Sequence, residues 1–208
     1  MKKSILLGVL GWVATVTPSF GVGWILLDNY ESHGLDGGPP VTYGIGVPAN
    51  GVSGPLGVSG AGLSGDWTAG IYFAFGTLNI VDPAGNGMPN AALTLGTGTG
   101  STAAFDSLNA GYTPGEFASP QVFIVGGTGA PTITVELVAY PTAAGSYAAA
   151  AYRAHSAPFT MATVSIPGIP PLIGDYMPAF SVGAPEPTTL ILGGLGGLSL
   201  WLMRRKRT

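Results

Sequence analysis

The sequence predicts an all-β domain, an antiparallel sandwich of jelly-roll type, set between an N-terminal signal helix and a C-terminal transmembrane helix. Three observations carry this reading. Short runs rich in aromatic and β-branched residues recur between Gly/Pro turn clusters. No stretch between the two ends repeats apolar residues at helical spacing. The ends also hold nearly all the positive charge: of seven Lys and Arg, only Arg153 lies between residues 24 and 184.

Residues 1–23 have the order of a secretory signal. Lys2 and Lys3 precede an apolar run from Ile5 to Val16, Pro18 breaks it, and small residues follow. The run of about twelve residues is too short for a comfortable membrane span. Cleavage is expected after Gly21 or Gly23. Residues 24–65 form a Gly/Pro-rich region of one or two short strands and turns. Within it Gly-(Val/Leu)-Ser-Gly recurs at Gly51, Gly57 and Gly62 with uneven spacing, which predicts a loop or loose edge strand and no solenoid.

Residues 66–184 are the expected core of the sandwich. In DWTAGIYFAFG, Trp67, Ala69, Ile71, Phe73 and Phe75 alternate with Thr68, Gly70, Tyr72 and Ala74, the period of a strand. DPAGNG (Asp82–Gly87) is a turn cluster, and a strand is expected over Ala91–Leu95. QVFIVGG, TITVELVAYP and TMATVSIP are three further strands. SYAAAAYRAHS is ambiguous. Its four alanines favour helix by propensity, whereas its place between turn-bounded strands favours strand. With 46% apolar and only 8% charged residues, this region has the means to bury a core despite 35 Gly and 18 Pro in the chain.

Residues 185–208 begin with Pro185-Glu186-Pro187. The two prolines fix φ and remove two N–H donors, so the tripeptide is held extended. Leu190 to Met203 is an apolar run whose helix would span about 21 Å, short of the ~30 Å hydrocarbon core, and Gly193–Gly197 softens it further. Arg204, Arg205, Lys206 and Arg207 then act as a membrane stop, holding the tail on the cytoplasmic side and the domain outside. This three-part order resembles the PEP-CTERM sorting signal of exported Gram-negative bacterial proteins. The resemblance covers the last 24 or so residues. It implies the secretion translocon and a membrane-embedded exosortase as partners, tail removal near the tripeptide, and a place beside exopolysaccharide in a biofilm or floc. The strand DWTAGIYFAFG, with LGTGTGSTAAFDS and YRAHSAPF, is similar to domains that often precede this tail and implies no particular chemistry.

Composition excludes several classes. The chain has no cysteine, so disulfides, thiol nucleophiles and thiolate metal sites are absent. Residues 24–184 carry one Arg against nine acids, a net charge of −8 (one minus nine), which excludes nucleic-acid binding through phosphate neutralisation. G-x-S-x-G does not occur, and the Gly-rich runs lack the lysine and helix of a phosphate cradle. Arg153 and His155 fall on one strand face and are candidates for ligand contact, with an Arg–carboxylate pair as the alternative for Arg153. Trp67 and Tyr72 offer aromatic platforms for sugars unless they fill the core. His33 with Glu31 and Asp36 is a weak metal set, and DPAGNG lacks the third-position ligand and distal Glu of a calcium loop. Asp66, Asp82, Asp106, Glu116 and Glu136 supply carboxylates for glycoside hydrolysis, but from separate segments.

The expectation is therefore an exported, non-enzymatic protein of the cell surface or extracellular matrix, anchored transiently in the inner membrane. No cofactor and no metal site is assigned, while calcium held by some of the nine acids stays open, since they offer hard oxygen ligands. A carbohydrate-binding module is the alternative, and a glycan-active enzyme comes third.

Overall fold

The computed structural model describes residues 23–31, 37–105, 113–126, 132–165 and 168–183. The chain is mostly β, with short 3-10 turns only at Thr142–Ala144 and Ile173–Asp175 among the described residues. Its spine is a pair of long strands, β3 (Trp67–Phe75) and β7 (Thr132–Pro141). They run antiparallel in unbroken register, from Trp67 opposite Pro141 to Phe75 opposite Ile133. Shorter strands extend the sheet on both sides. β4 (Thr94–Leu95) and β5 (Thr102–Ala104) pair with the outer edge of β3, and β8 (Ala154–His155) and β9 (Phe159–Ala162) with that of β7. Two small sheets complete the strand set. β1 (Gly23–Ile25) pairs antiparallel with β6 (Phe123–Gly126), and β2 (Thr42–Tyr43) pairs parallel with β10 (Ser181–Val182).

The alternation in β3 and β7 decides where the core lies. Trp67, Ala69 and Ile71 share a face with Ile133, Val135, Leu137 and Ala139, and all are buried. Ile25 and Leu27 from the N-terminal segment, Phe123 and Val125 of β6, and Phe105 and Phe117 join the same cluster. Phe105 and Phe117 meet edge to face at 5.3 Å between centroids. The opposite face of β7 is covered as well: Thr134, Glu136 and Val138 are buried. Its cover is the 76–93 segment, which forms no strand and is tied down at a few points. Leu78 N–H donates to Thr134 Oγ1 at 2.8 Å, and Gly85 bridges to His155. This second face holds the candidate site.

Several sequence expectations change in detail. The strand expected at Ala91–Leu95 is only Thr94–Leu95, because Asn90 Oδ1 accepts the Ala92 N–H and turns the chain before it. SYAAAAYRAHS is neither one helix nor one strand. It makes a turn at Tyr147–Ala149 and becomes strand only at Ala154. Ala148, Ala149 and Ala151 are exposed, so alanine propensity has no packing to recruit. The Gly/Ser-rich run is a loop with isolated bridges, Pro48 to Leu56 and Thr42 to Gly62. No helix among the described residues is long and apolar enough to cross a membrane. The signal segment and the tail with Pro185, Glu186, Pro187 and the terminal cations lie outside the described residues.

Asp28 supplies a pH prediction. Its side chain is buried, and Oδ1 accepts the N–H groups of Tyr30 at 2.8 Å and Glu31 at 3.0 Å. Burial holds its pKa above the ordinary carboxylate range; the two N–H donors oppose this, and Glu31 and Glu116 add to it. The folded chain thus holds this proton more tightly than the unfolded one. The resulting stability is full below the unfolded pKa and is lost as pH rises through the folded pKa. Asp28→Asn keeps the acceptor and removes the titration. Urea midpoints at pH 4 and pH 7 should show a smaller loss between the two for Asp28→Asn than for the wild type. Equal losses would mean that this carboxyl titrates as it does unfolded.

Candidate functional site

Glu136 sits at the middle of β7, where a strand buried on both faces leaves no water for a carboxylate. Register places Tyr72 of β3 directly across from it. On the other side β8 sets His155 opposite Val138, so that His155 is the diagonal neighbour of Glu136 on the same face. Asp82 arrives from the loop after β3. Two backbone bonds fix that loop over the sheet: Gly85 N–H to His155 O at 3.1 Å and His155 N–H to Gly85 O at 2.7 Å. One potential ligand atom from each of Asp82, Glu136 and His155 then lies within 4.8 Å of the other two.

The electrostatics of this cluster are unusual. Glu136 is 0% exposed. Its Oε2 accepts the Asn90 N–H at 3.0 Å, while its Oε1 is buried with no hydrogen-bond partner. Burial pushes the Glu136 pKa up; the Asn90 N–H pulls it back, the Asp82 charge raises it again and His155 lowers it. His155 is buried too, with Nδ1 3.0 Å from the Ser156 carbonyl and 3.6 Å from Glu136 Oε2. A carbonyl only accepts, so the Ser156 contact calls for a proton on Nδ1; in a neutral ring the lone pair is then on Nε2. Nε2 looks toward two glycines: a Cβ on Gly85 would lie 3.8 Å from it, and one on Gly87 4.0 Å.

A ring of aromatic residues borders the cluster. Tyr147 is buried and donates its hydroxyl to Gly87 O at 2.6 Å. Its ring meets Tyr72 and Tyr140 edge to face, at 6.1 and 6.3 Å. Burial drives the Tyr147 hydroxyl pKa far above its ordinary value, against the opposing pull of Arg153. The Arg153 guanidinium carbon lies 5.1 Å from the Tyr147 ring centroid. Its Nε donates to Asn86 O at 3.1 Å, and its Nη1 to Tyr147 O at 3.0 Å and Ala148 O at 2.9 Å. Arg153 thus clamps the 82–87 turn against the 147–148 turn.

These positions sort the sequence candidates. Arg153 and His155 both hold the 82–87 turn, Arg153 through Nε to Asn86 O and His155 through its backbone bonds to Gly85. The ion pair weighed for Arg153 gives way to backbone carbonyls. Trp67 is corrected from ligand platform to core residue: it is 0% exposed, meets Tyr43 edge to face at 6.0 Å and donates Nε1–H to Ala49 O at 2.8 Å. A sugar would have to displace that packing to stack on it. DPAGNG is the turn that was expected, but it also delivers Asp82 to the cluster. Glu116 is occupied by the Thr113 N–H at 2.7 Å. Asp66 is exposed. His33, Asp36 and Asp106 lie outside the described residues.

Sequence order does not reveal the convergence of Asp82, Glu136 and His155, because the three are 54 and 19 residues apart, at distances only the sheet closes. One signal was present: a carboxylate in the middle of TITVELVAYP, a strand otherwise free of charge. The arrangement can share a proton or hold a small cation. It offers no room for a glycoside at Glu136, which has no exposed surface. The chain matches no protein-family model, no curated protein and no solved structure.

Proposed function

We propose that this is an exported, non-enzymatic module of the cell surface or extracellular matrix, sorted by its PEP-CTERM-like tail and released from the membrane by an exosortase. The single observation that carries this reading is the order of that tail, from Pro185-Glu186-Pro187 through a short apolar run to Arg204–Arg207. The preceding β-rich region is read as an antiparallel sandwich, with the six-stranded sheet and the β1–β6 pair contributing side chains to one core.

Two features of the folded chain support the non-enzymatic, weakly adhesive reading. Glu136 and His155 are too deeply buried for a polymeric substrate to sit on them. The 44–60 loop instead exposes large apolar side chains, Ile45, Val52, Leu56 and Val58, beyond what a solvated loop needs. The carbohydrate-binding alternative loses its strongest platform with the burial of Trp67.

Processing is directly measurable. In a host with an exosortase, C-terminal peptide mass spectrometry of secreted material should find no residues beyond the Pro185–Pro187 region. Recovery of an intact Arg204–Arg207 cluster in that fraction would refute the sorting proposal.

A further inference from the structure

We infer that Asp82, Glu136 and His155 form a binding site for a divalent first-row transition metal ion, with Zn2+ the best fit, that staples the 82–90 loop to the sheet. Three independent features of the cluster meet the demands of such a site. The donors are the correct types: two carboxylates and one imidazole, together supplying two negative charges when His155 is neutral. One potential ligand atom of each residue, with either ring nitrogen counted for His155, lies within 4.8 Å of the other two. Tetrahedral donors about 2.0–2.1 Å from one Zn2+ lie roughly 3.4 Å apart, so the set must close by up to about 1.5 Å.

The second feature is the unpartnered Glu136 Oε1. A buried oxygen without a hydrogen bond is costly, and no fixed positive charge offsets it here. Arg153, the only Lys or Arg among the described residues, directs Nε and Nη1 at the carbonyls of Asn86, Tyr147 and Ala148. A cation would give Oε1 the partner it lacks.

The third feature is the support around the donors. A metal-bound histidine usually donates its other ring N–H to a carbonyl or carboxylate, which fixes ring and tautomer. His155 Nδ1, 3.6 Å from Glu136 Oε2, makes such a contact to Ser156 O at 3.0 Å, which orients the ring and leaves Nε2 free to turn toward an ion. The Asn90 N–H likewise holds Glu136 Oε2 in place. Gly85 and Gly87 place no side chain beside Nε2, and the half-buried Asp82 marks the side from which an ion would enter.

The donor set also selects the ion. Ca2+ takes six to eight oxygen ligands, and Mg2+ keeps several waters around a few oxygens. An imidazole beside two carboxylates suits Zn2+ and its first-row neighbours. Water would complete the coordination. The effect is mechanical: Gly76 to Leu93 forms no strand and is tied down at a few points, and an ion shared by Asp82, Glu136 and His155 would tie it to both β7 and β8.

The test uses the full-length chain in detergent, stripped with EDTA and exchanged into metal-free buffer. Calorimetric titration with Zn2+ should show binding at this site, and Zn2+ should raise the thermal midpoint. Glu136→Gln and Asp82→Asn should each weaken that binding at least about tenfold and abolish most of the thermal shift. Both should keep the wild-type circular dichroism spectrum, and metal-free Glu136→Gln should melt no lower than the metal-free wild type, because it removes a buried charge while retaining an acceptor for the Asn90 N–H. Three outcomes would overturn the inference: no response of the wild type to Zn2+, equal Zn2+ affinity in the wild type and both variants, or a response to Ca2+ alone.

Discussion

Gly62→Ala is expected to cost about 3 kcal/mol or more of folding stability. A Cβ at Gly62 would lie 1.7 Å from Pro114 O, 2.0 Å from Pro114 C and 2.5 Å from Gly115 N. These are backbone atoms, so no side chain can swing aside. The crossing is also a hydrogen-bond hub. Gly115 N–H donates to Leu63 O at 2.8 Å, Leu63 N–H to Val41 O at 2.9 Å, and Val41 N–H to Gly115 O at 3.0 Å. Separating the two backbones enough to admit a methyl group would break part of this ring and unseat Val41 and Leu63, both fully buried. Gly65→Ala is the control. Its Cβ would meet only Phe105 O, at an ordinary 3.4 Å, and the change should stay within about 0.5 kcal/mol. Urea denaturation of the pair decides the matter: similar midpoints would mean that the 62/115 crossing is looser than its geometry implies.

Replacing Arg204, Arg205, Lys206 and Arg207 with Gln or Ser is expected to block maturation of most of the protein. The proposed span of about 21 Å is shorter than the hydrocarbon core, and its Gly193–Gly197 stretch lowers its hydrophobic reserve. The four cations should therefore matter more here than behind a long Leu-rich helix, since stop and orientation both depend on them. The variant should pass through the membrane uncleaved or accumulate as precursor. Glu186→Gln, outside the hydrocarbon, should leave membrane retention intact and impair only cleavage. Pulse-chase labelling with cell fractionation separates the two behaviours. Normal maturation of the charge-neutral chain, with its tail removed, would make the cations incidental.

Local pattern made much of the fold legible. The alternation from Trp67 to Phe75 gave β3 its faces, and TITVELVAYP and QVFIVGG gave β7 and β6, because the period of two is a property of the strand backbone itself. Where local signals conflicted, legibility ended. Asn90 turns the chain ahead of Thr94 through a side-chain bond to the Ala92 N–H, and three of the four alanines of SYAAAAYRAHS are exposed, so their helix propensity finds little packing to support it.

The sequence by itself determined the β class, the lack of thiol chemistry and the concentration of cations at the two ends, because each follows from residue type and order alone. Tertiary structure decided the roles of individual side chains. It buried Trp67 where a sugar platform was conceivable, since the residues of β3 and β7 that face the core do so only once the two strands pair. It turned Arg153 toward carbonyls, because the 82–87 and 147–148 turns come within its reach. And it brought Asp82, Glu136 and His155 together, a contact set by strand register and loop closure over long sequence separations, which no local pattern encodes.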